Sequence, residues 1–452
     1  LQNEEYRSSY MARERYAFED VIHMLGELHE VDQSKEYDLL AFKYAQRCKS
    51  RSFLDQMENT KPASPAKEDQ YTARTVSLKD VQNSDIEENT VILEYSLGDS
   101  CSYLWVITRD SHEMIKLPDR KTLREQVESF RFSILNPNQD NKAFLRESGY
   151  NLYKQLIQPA EPFISRRSKL VILSDGVLHY VPFQVLITDP PDKHPDHSYR
   201  ELSYLIKQYP ISYGQSASVL INLIEERGQL TDPQQNPKNL IAFGDPVYTG
   251  KGKDSDMNPH EFNRLEYSGI EVEGISDFFE DGMADIFLRE NASEENVKLN
   301  NRLSEYSYIH FACHGMVDEE SPENSSLVLT QDTASAEDGF FQASEISVLE
   351  LNADLVVLSA CQTGLGKLIR GEGMIGLSRS FMYAGSSSEV VILWSVSDIS
   401  TSILMEGLYE NLIRKGFSKA EALHLAQISM IKDEKYAHPF FWAPFVLTGD
   451  WQ

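Results

Sequence analysis

The chain has 452 residues, 41% apolar and 25% charged, a composition that excludes a wholly disordered protein. Lys plus Arg number 43 against 70 Asp plus Glu, a net charge of −27. That balance excludes a nucleic-acid binder working by bulk charge, because phosphate contacts need a local Lys/Arg excess, and no basic cluster exceeds Arg166-Arg167 with Lys169 beside it.

At about 150 residues per domain the length corresponds to roughly three domains. No apolar run approaches the ~18–20 residues of a membrane helix. Cys48, Cys101, Cys313 and Cys361 form no CxxC and no His/Cys metal spacing. Neither a disulfide framework nor a metal site is therefore expected, and a reducing cytoplasm fits. The chain opens Leu1-Gln2-Asn3, neither an initiator Met nor a signal peptide, so further chain is expected upstream.

Residues 4–58 read as helix, from Val21, Ile22, Leu25 and Leu28 and then Leu39, Leu40, Phe42 and Tyr44 at helical spacing, with a turn near His29–Ser34. Two such helices are half of a helical repeat, and segment 1–58 is expected to be the remnant of one. Residues 59–84 begin with a small, polar, Pro-containing stretch and read as a linker. Val91–Tyr95 and Tyr103–Ile107 are strands with Gly98-Asp99 at a hairpin tip. Leu123–Phe132 and Lys142–Leu156 are helical, and Lys169–Leu173 is a strand buried on both faces. Residues 188–198 and 249–260 are loops. Strands are expected at Asn239–Gly244, Ala284–Leu288, Tyr308–Ala312, Ser326–Thr330, Leu355–Ser359 and Val390–Trp394, with helices at 267–279, 293–302, 370–384, 398–415 and 418–431. This alternation predicts an α/β fold, with a mostly parallel central sheet and helices on both faces. Leu170–Gly176 echoes Leu355–Cys361, with Gly176 where Cys361 stands. The echo divides the remainder into a degenerate half, 85–235, and an active half, 236–452.

In open parallel sheets, chemistry sits beyond the carboxyl ends of the strands. Past Tyr308–Ala312 come Cys313-His314-Gly315, and past Leu355–Ser359 come Ala360-Cys361-Gln362-Thr363-Gly364. The His precedes the Cys by 47 residues, close to the ~50 of the caspase pattern. A Cys attacks a carbonyl as thiolate, which a neighbouring His generates before protonating the leaving amine. The N–H groups of Gly315 and Cys361 are the expected oxyanion hole, worth roughly 3–4 kcal/mol per donor in other proteases. Cys313 is read as packing and His310 as a buried strand residue.

The blocks His310–Gly315 and Leu358–Gly364 resemble the two signature blocks of the CHAT family, caspase-like peptidases related to caspases and separases that typically follow tetratricopeptide repeats. Ser174–Phe183, Ala242–Pro246, Gly371–Leu377, Leu393–Asp398 and His438–Phe445 are similar to further blocks of the family. Cys313 departs from the commoner Thr, and Ser386–Glu389 is polar for the approach to a buried strand. The resemblance implies a caspase-like layered fold and a cysteine endopeptidase with a His314/Cys361 dyad, no metal and no cofactor. It also implies a protein substrate, and a protein or ribonucleoprotein activator engaged through the N-terminal helices, in settings that include bacterial defence. No direct nucleic-acid or membrane contact is expected.

Asp318, Gln362, Glu372 and Asp398 are the candidate substrate-pocket residues. An acid in the pocket would favour Arg or Lys before the cut, as in separases. The structural alternatives are that Asp398 caps helix 398–415 and that Glu372 fixes a turn. A catalytically silent scaffold of the same fold is the competing reading of the whole chain.

Overall fold

A computed structural model describes residues 2–49, 53–54, 74–137, 141–193, 197–230, 239–248, 262–332, 335–360, 366–369 and 373–452. The chain forms two compact units. The first holds residues 1–229, 368–373 and 438–443; the second holds 230–367, 374–437 and 444–452.

The first unit begins with helix Gln2–Val31, a turn of 3-10 helix at Gln33–Lys35, and helix Tyr37–Cys48. The break falls where apolar periodicity lapses, and Asp32 accepts the Ser34 N–H there. Residues 50–52 and 55–58 of the stretch read as helix, and 59–73 of the stretch read as linker, lie outside the described residues, whereas Leu78–Asn83 is helical behind a Ser77/Asp80 capping box. Five strands follow: β1 (Thr90–Ser96), β2 (Ser102–Ile107), β3 (His112–Leu117), β4 (Lys169–Leu173) and β5 (Ile211–Gly214). Their order is β3-β2-β1-β4-β5. The β1-β4-β5 core is parallel and the β2–β3 hairpin antiparallel. Every residue of β4 is buried, as its unbroken apolar run requires. Helices Arg120–Leu135 and Lys142–Leu156 pack on each other, the first N-capped by Asp119.

The second unit contains β6 (Leu240–Gly244), β7 (Ala284–Leu288), β8 (Tyr308–Ala312), β9 (His314–Met316), β10 (Ser326–Val328), β11 (Phe340–Gln342) and β12 (Leu355–Leu358). Short strands β13 (Lys367–Ile369) and β14 (Gly373–Ile375) come next, then β15 (Ser388–Ile392) and β16 (Phe445–Gly449). The main sheet runs β16-β15-β12-β8-β6-β7, parallel except for β16. A small antiparallel sheet, β11-β10-β9, extends from the end of β8. The α/β class and the mostly parallel arrangement are those expected.

Several boundaries differ. The helix expected at 370–384 is Leu377–Ala384; Gly373–Ile375 is strand and Gly376 is extended at φ 167°, because glycines weaken a helix start. The 293–302 helix is α-helical only over Glu294–Lys298 and tightens to 3-10 at Leu299–Glu305. Helix Asp398–Tyr409 continues as a π turn through Arg414.

The strand expected at 390–394 starts two residues earlier, so polar Ser388 and Glu389 lie inside it. Glu389 pairs with Val356 and Thr448 and is fully buried. Burial pushes its carboxyl well above the ordinary range, against the pull of the Ser378 hydroxyl and the Met382 N–H. A raised carboxyl favours folding below the unfolded value of 4.5 and loses that contribution as pH rises. Each tenfold gain in proton affinity is worth about 1.4 kcal/mol. Stability is therefore expected to fall from pH 5 towards pH 8, and Glu389→Gln to flatten that slope. Urea unfolding at both pH values checks it; equal slopes in the two proteins would contradict it.

Candidate active site

His314 opens β9, just past the carboxyl end of β8. β8 and β12 are paired in parallel, with Phe311 opposite Leu358. His314 is three residues beyond Phe311, and Cys361 is three residues beyond Leu358. Cys361, Gln362 and Glu372 lie outside the described residues.

The His314 ring is half-buried between aromatic neighbours, with centroids 5.0 Å from Tyr248 and 5.2 Å from Phe262. Its Nε2–H donates to the Asn263 carbonyl at 2.8 Å, and its backbone N–H donates to the Tyr248 hydroxyl at 3.3 Å. That bond to Asn263 assigns the proton to Nε2 and leaves Nδ1 as the basic nitrogen. Burial lowers the imidazole below 6.5, and the Asn263 carbonyl opposes the shift in part. The ring is therefore neutral near pH 7, the form that accepts a proton. Gly315 follows in β9, opposite Leu327.

Sequence reasoning missed what holds this histidine. Asp245, at the end of β6 with φ 46°, grips Arg264 through two bonds, Nε–Oδ1 at 2.9 Å and Nη2–Oδ2 at 2.7 Å. Arg289 adds a third bond at 3.0 Å, and Ser268 Oγ accepts the Asp245 N–H at 2.8 Å. Arg264 is the residue after Asn263, so the clamp fixes the carbonyl that orients the ring. The Ala242–Pro246 block was the sequence signal; a backbone acceptor has no side-chain signature. On the reading of His314 as a catalytic group, Asp245→Ala is expected to lower kcat by up to about 10²-fold at unchanged KM, the scale of a misplaced catalytic group. Steady-state kinetics and a pH–rate profile check it. Lost thermal stability at unchanged kcat would make Asp245 purely structural.

The acidic candidates separate. Asp318 Oδ1 accepts the N–H groups of Glu320 and Ser321, so its carboxylate closes its own turn. Asp398 is not the cap of its helix: the N-cap is Ser397, and Asp398 Oδ2 accepts the Tyr267 N–H at 2.9 Å. It thus serves the first turn of helix Glu266–Ser276. Burial, with the carboxylates of Glu271, Asp245 and Glu266, raises Asp398 to about 6 against the pull of that N–H. His310 is fully buried in β8; its Nε2–H donates to Glu271 at 2.8 Å, and Nδ1 meets the Tyr409 hydroxyl at 3.2 Å. Cys313 is buried, at 1% exposure.

A mostly parallel sheet with helices, in which His314 follows one strand and the Ser359-Ala360-Cys361 run follows its neighbour in sequence, has the layout of the caspase-like layered fold. The chain belongs to the CHAT domain family, whose model matches residues 146–450. It is 31% identical over 110 residues to tetratricopeptide repeat protein 28 of Mus musculus, and 31% over 107 residues to that of Homo sapiens. Each match covers 24% of this chain and 4% of the relative. A chain of the Saccharomyces cerevisiae separase–securin complex shares the fold, with a TM-score of 0.53 at 13% identity. That alignment covers 92% of this chain and 34% of the other. Among the described residues no helix is long and apolar enough to cross a membrane.

Proposed function

We propose that the chain is a cysteine endopeptidase in which Cys361 is the nucleophile, His314 its base and acid, and the N–H groups of Gly315 and Cys361 the oxyanion hole. The observation that carries this reading comes from the first unit. There β4 pairs with β1, Leu173 opposite Glu94. Counting three residues beyond that rung reaches Gly176 and Leu97, the counterparts of Cys361 and His314. These two positions face each other: a Cβ placed on Gly176 would lie 3.2 Å from Leu97 Cδ1. The same count from Phe311 and Leu358 reaches, along the sequence, His314 and Cys361, the pair assigned to the chemistry on this reading. On this reading the first unit is a degenerate half, with Gly and Leu where the chemistry was. Its parallel β1-β4-β5 order repeats β8-β12-β15, and the β2–β3 hairpin replaces the parallel β6 and β7.

The substrate on this reading is a protein, and the N-terminal helices receive the protein partner that switches turnover on. Tyr16, Met24, Leu28, Val31 and Leu40 are exposed apolar side chains on those helices, a surface suited to such docking. The test is expression of the full-length protein in its own cells with Cys361→Ala as control, followed by mapping of new protein N-termini. Termini confined to the unsubstituted protein support the reading. The same termini in both would overturn it in favour of a scaffold.

A further inference from the structure

His23, Glu27 and Cys101 bring three metal-ligating atoms together in the first unit, all within 4.8 Å of one another. His23 and Glu27 are one helical turn apart on helix Gln2–Val31, and Cys101 precedes β2. His23 Nδ1 is 3.1 Å from Cys101 Sγ and 4.0 Å from Glu27 Oε1. A tetrahedral zinc ion at ordinary bond lengths sets such ligand atoms roughly 3.3–3.5 Å apart. Modest movement of one carboxylate would complete the set.

We propose that His23, Glu27 and Cys101 bind a thiophilic divalent cation, zinc by preference, that clamps the N-terminal helix to the β1–β2 hairpin. The chemistry selects the ion: one thiolate and one imidazole favour zinc over the hard cations magnesium and calcium. One thiolate and one carboxylate balance the 2+ charge with neutral His23, and water takes the fourth position. Binding exchanges the thiol proton for the metal, so it releases a proton.

The backbone is built for close approach at this point. Gly26 lies between the two helical ligands, and a Cβ there would fall 2.2 Å from the Tyr103 hydroxyl oxygen. A glycine inside a helix costs about 1 kcal/mol relative to Ala, and here it lets the Tyr103 ring lie against the helix. The Tyr103 hydroxyl donates to the His23 carbonyl at 3.3 Å. Lys116 Nζ lies 2.5 Å from Glu27 Oε1 and 3.4 Å from Glu30 Oε1, so Glu30 retains the ammonium when Glu27 turns to the ion. His23 and Glu27 are 38% and 48% exposed, which gives the ion a path in. The three-glutamate cluster of Glu294, Glu337 and Glu345 differs, because Lys298 Nζ already fills it at 2.6–2.8 Å. Local spacing could not reveal the His23 site, since its cysteine is 78 residues from its histidine. The site is independent of the peptidase reading.

The test uses the full chain carrying Cys361→Ala, stripped with a chelator and titrated with cobalt(II). One equivalent is expected to give a sulfur-to-cobalt charge-transfer band and the visible bands of a four-coordinate ion, which zinc then bleaches. Cys101→Ser should abolish the charge-transfer band. His23→Gln with Glu27→Gln should weaken cobalt binding by more than about 100-fold, beyond the cost of losing an outer-shell partner. The absence of a band in the parent, or a band that survives Cys101→Ser, would overturn the proposal. If Cys101→Ser fails to fold by circular dichroism, the His23/Glu27 variant decides, and unchanged cobalt affinity there would overturn it.

Discussion

Replacing either Cys361 or His314 with Ala is expected to reduce peptide-bond cleavage by on the order of 10⁶-fold, the scale on which loss of a nucleophile or its base silences a catalytic unit. The double variant should be little worse than either single one, because neither group works without the other. Cys313→Ser should leave turnover intact, since that thiol is buried. The pH profile tests the electrostatics separately. Burial holds His314 below 6.5, so kcat/KM should fall only when the pH drops below that value, as the basic nitrogen becomes protonated. An acid limb centred above pH 6.5 would mean that a neighbouring thiolate sets the imidazole instead. Full turnover by Cys361→Ala would remove the dyad and assign cleavage to another group, whereas absence of cleavage by the unsubstituted protein would leave the scaffold reading.

The parts of this fold legible in the sequence are those where a single physical signal dominates. β4, β7 and β8 carry the boundaries expected; in β4 and β8 a short apolar run buried on both faces has few other structures open to it. β3 was not legible: His112-Glu113-Met114-Ile115-Lys116-Leu117 mixes exposed and buried positions with no steady alternation. The three-residue strands β9 and β11 are too short to carry a period, whereas β10 was read within Ser326–Thr330. At the site, His314 was visible from residue type and strand position. Its holder was not, because the acceptor is a backbone carbonyl 51 residues away. Glu389 misled for the opposite reason: a carboxylate argues for surface, and only the pairing on both sides keeps it in the sheet.

Asp175→Ala is expected to destabilise the first unit by about 3–5 kcal/mol, the cost of removing one partner from a buried ion pair. Asp175 follows β4 and meets Arg15 of the N-terminal helix at 2.6 Å, the side chains 4% and 2% exposed. Burial raises its carboxyl, but Arg15, Lys49, the Leu97 N–H and Arg120 together hold it below the ordinary value. Its stabilising contribution is thus present above about pH 3.8 and is lost as pH falls through the folded value. Without Asp175, the cations Arg15, Lys49 and Arg120 are left with Glu19, Glu94 and the exposed Asp99, and the buried Leu97 N–H loses its acceptor at 2.7 Å. Arg15 already has one nitrogen, Nη1, without a hydrogen bond, so the remaining network cannot absorb the loss. Replacing both partners with apolar residues, Arg15→Met with Asp175→Leu, should recover much of the stability, because no unpaired charge then remains. Urea unfolding at pH 7 measures all three. A cost below ~1 kcal/mol for Asp175→Ala would place the pair in the class of solvated surface bridges. A cost of the expected size would make it a rigid link between the helix and the end of β4.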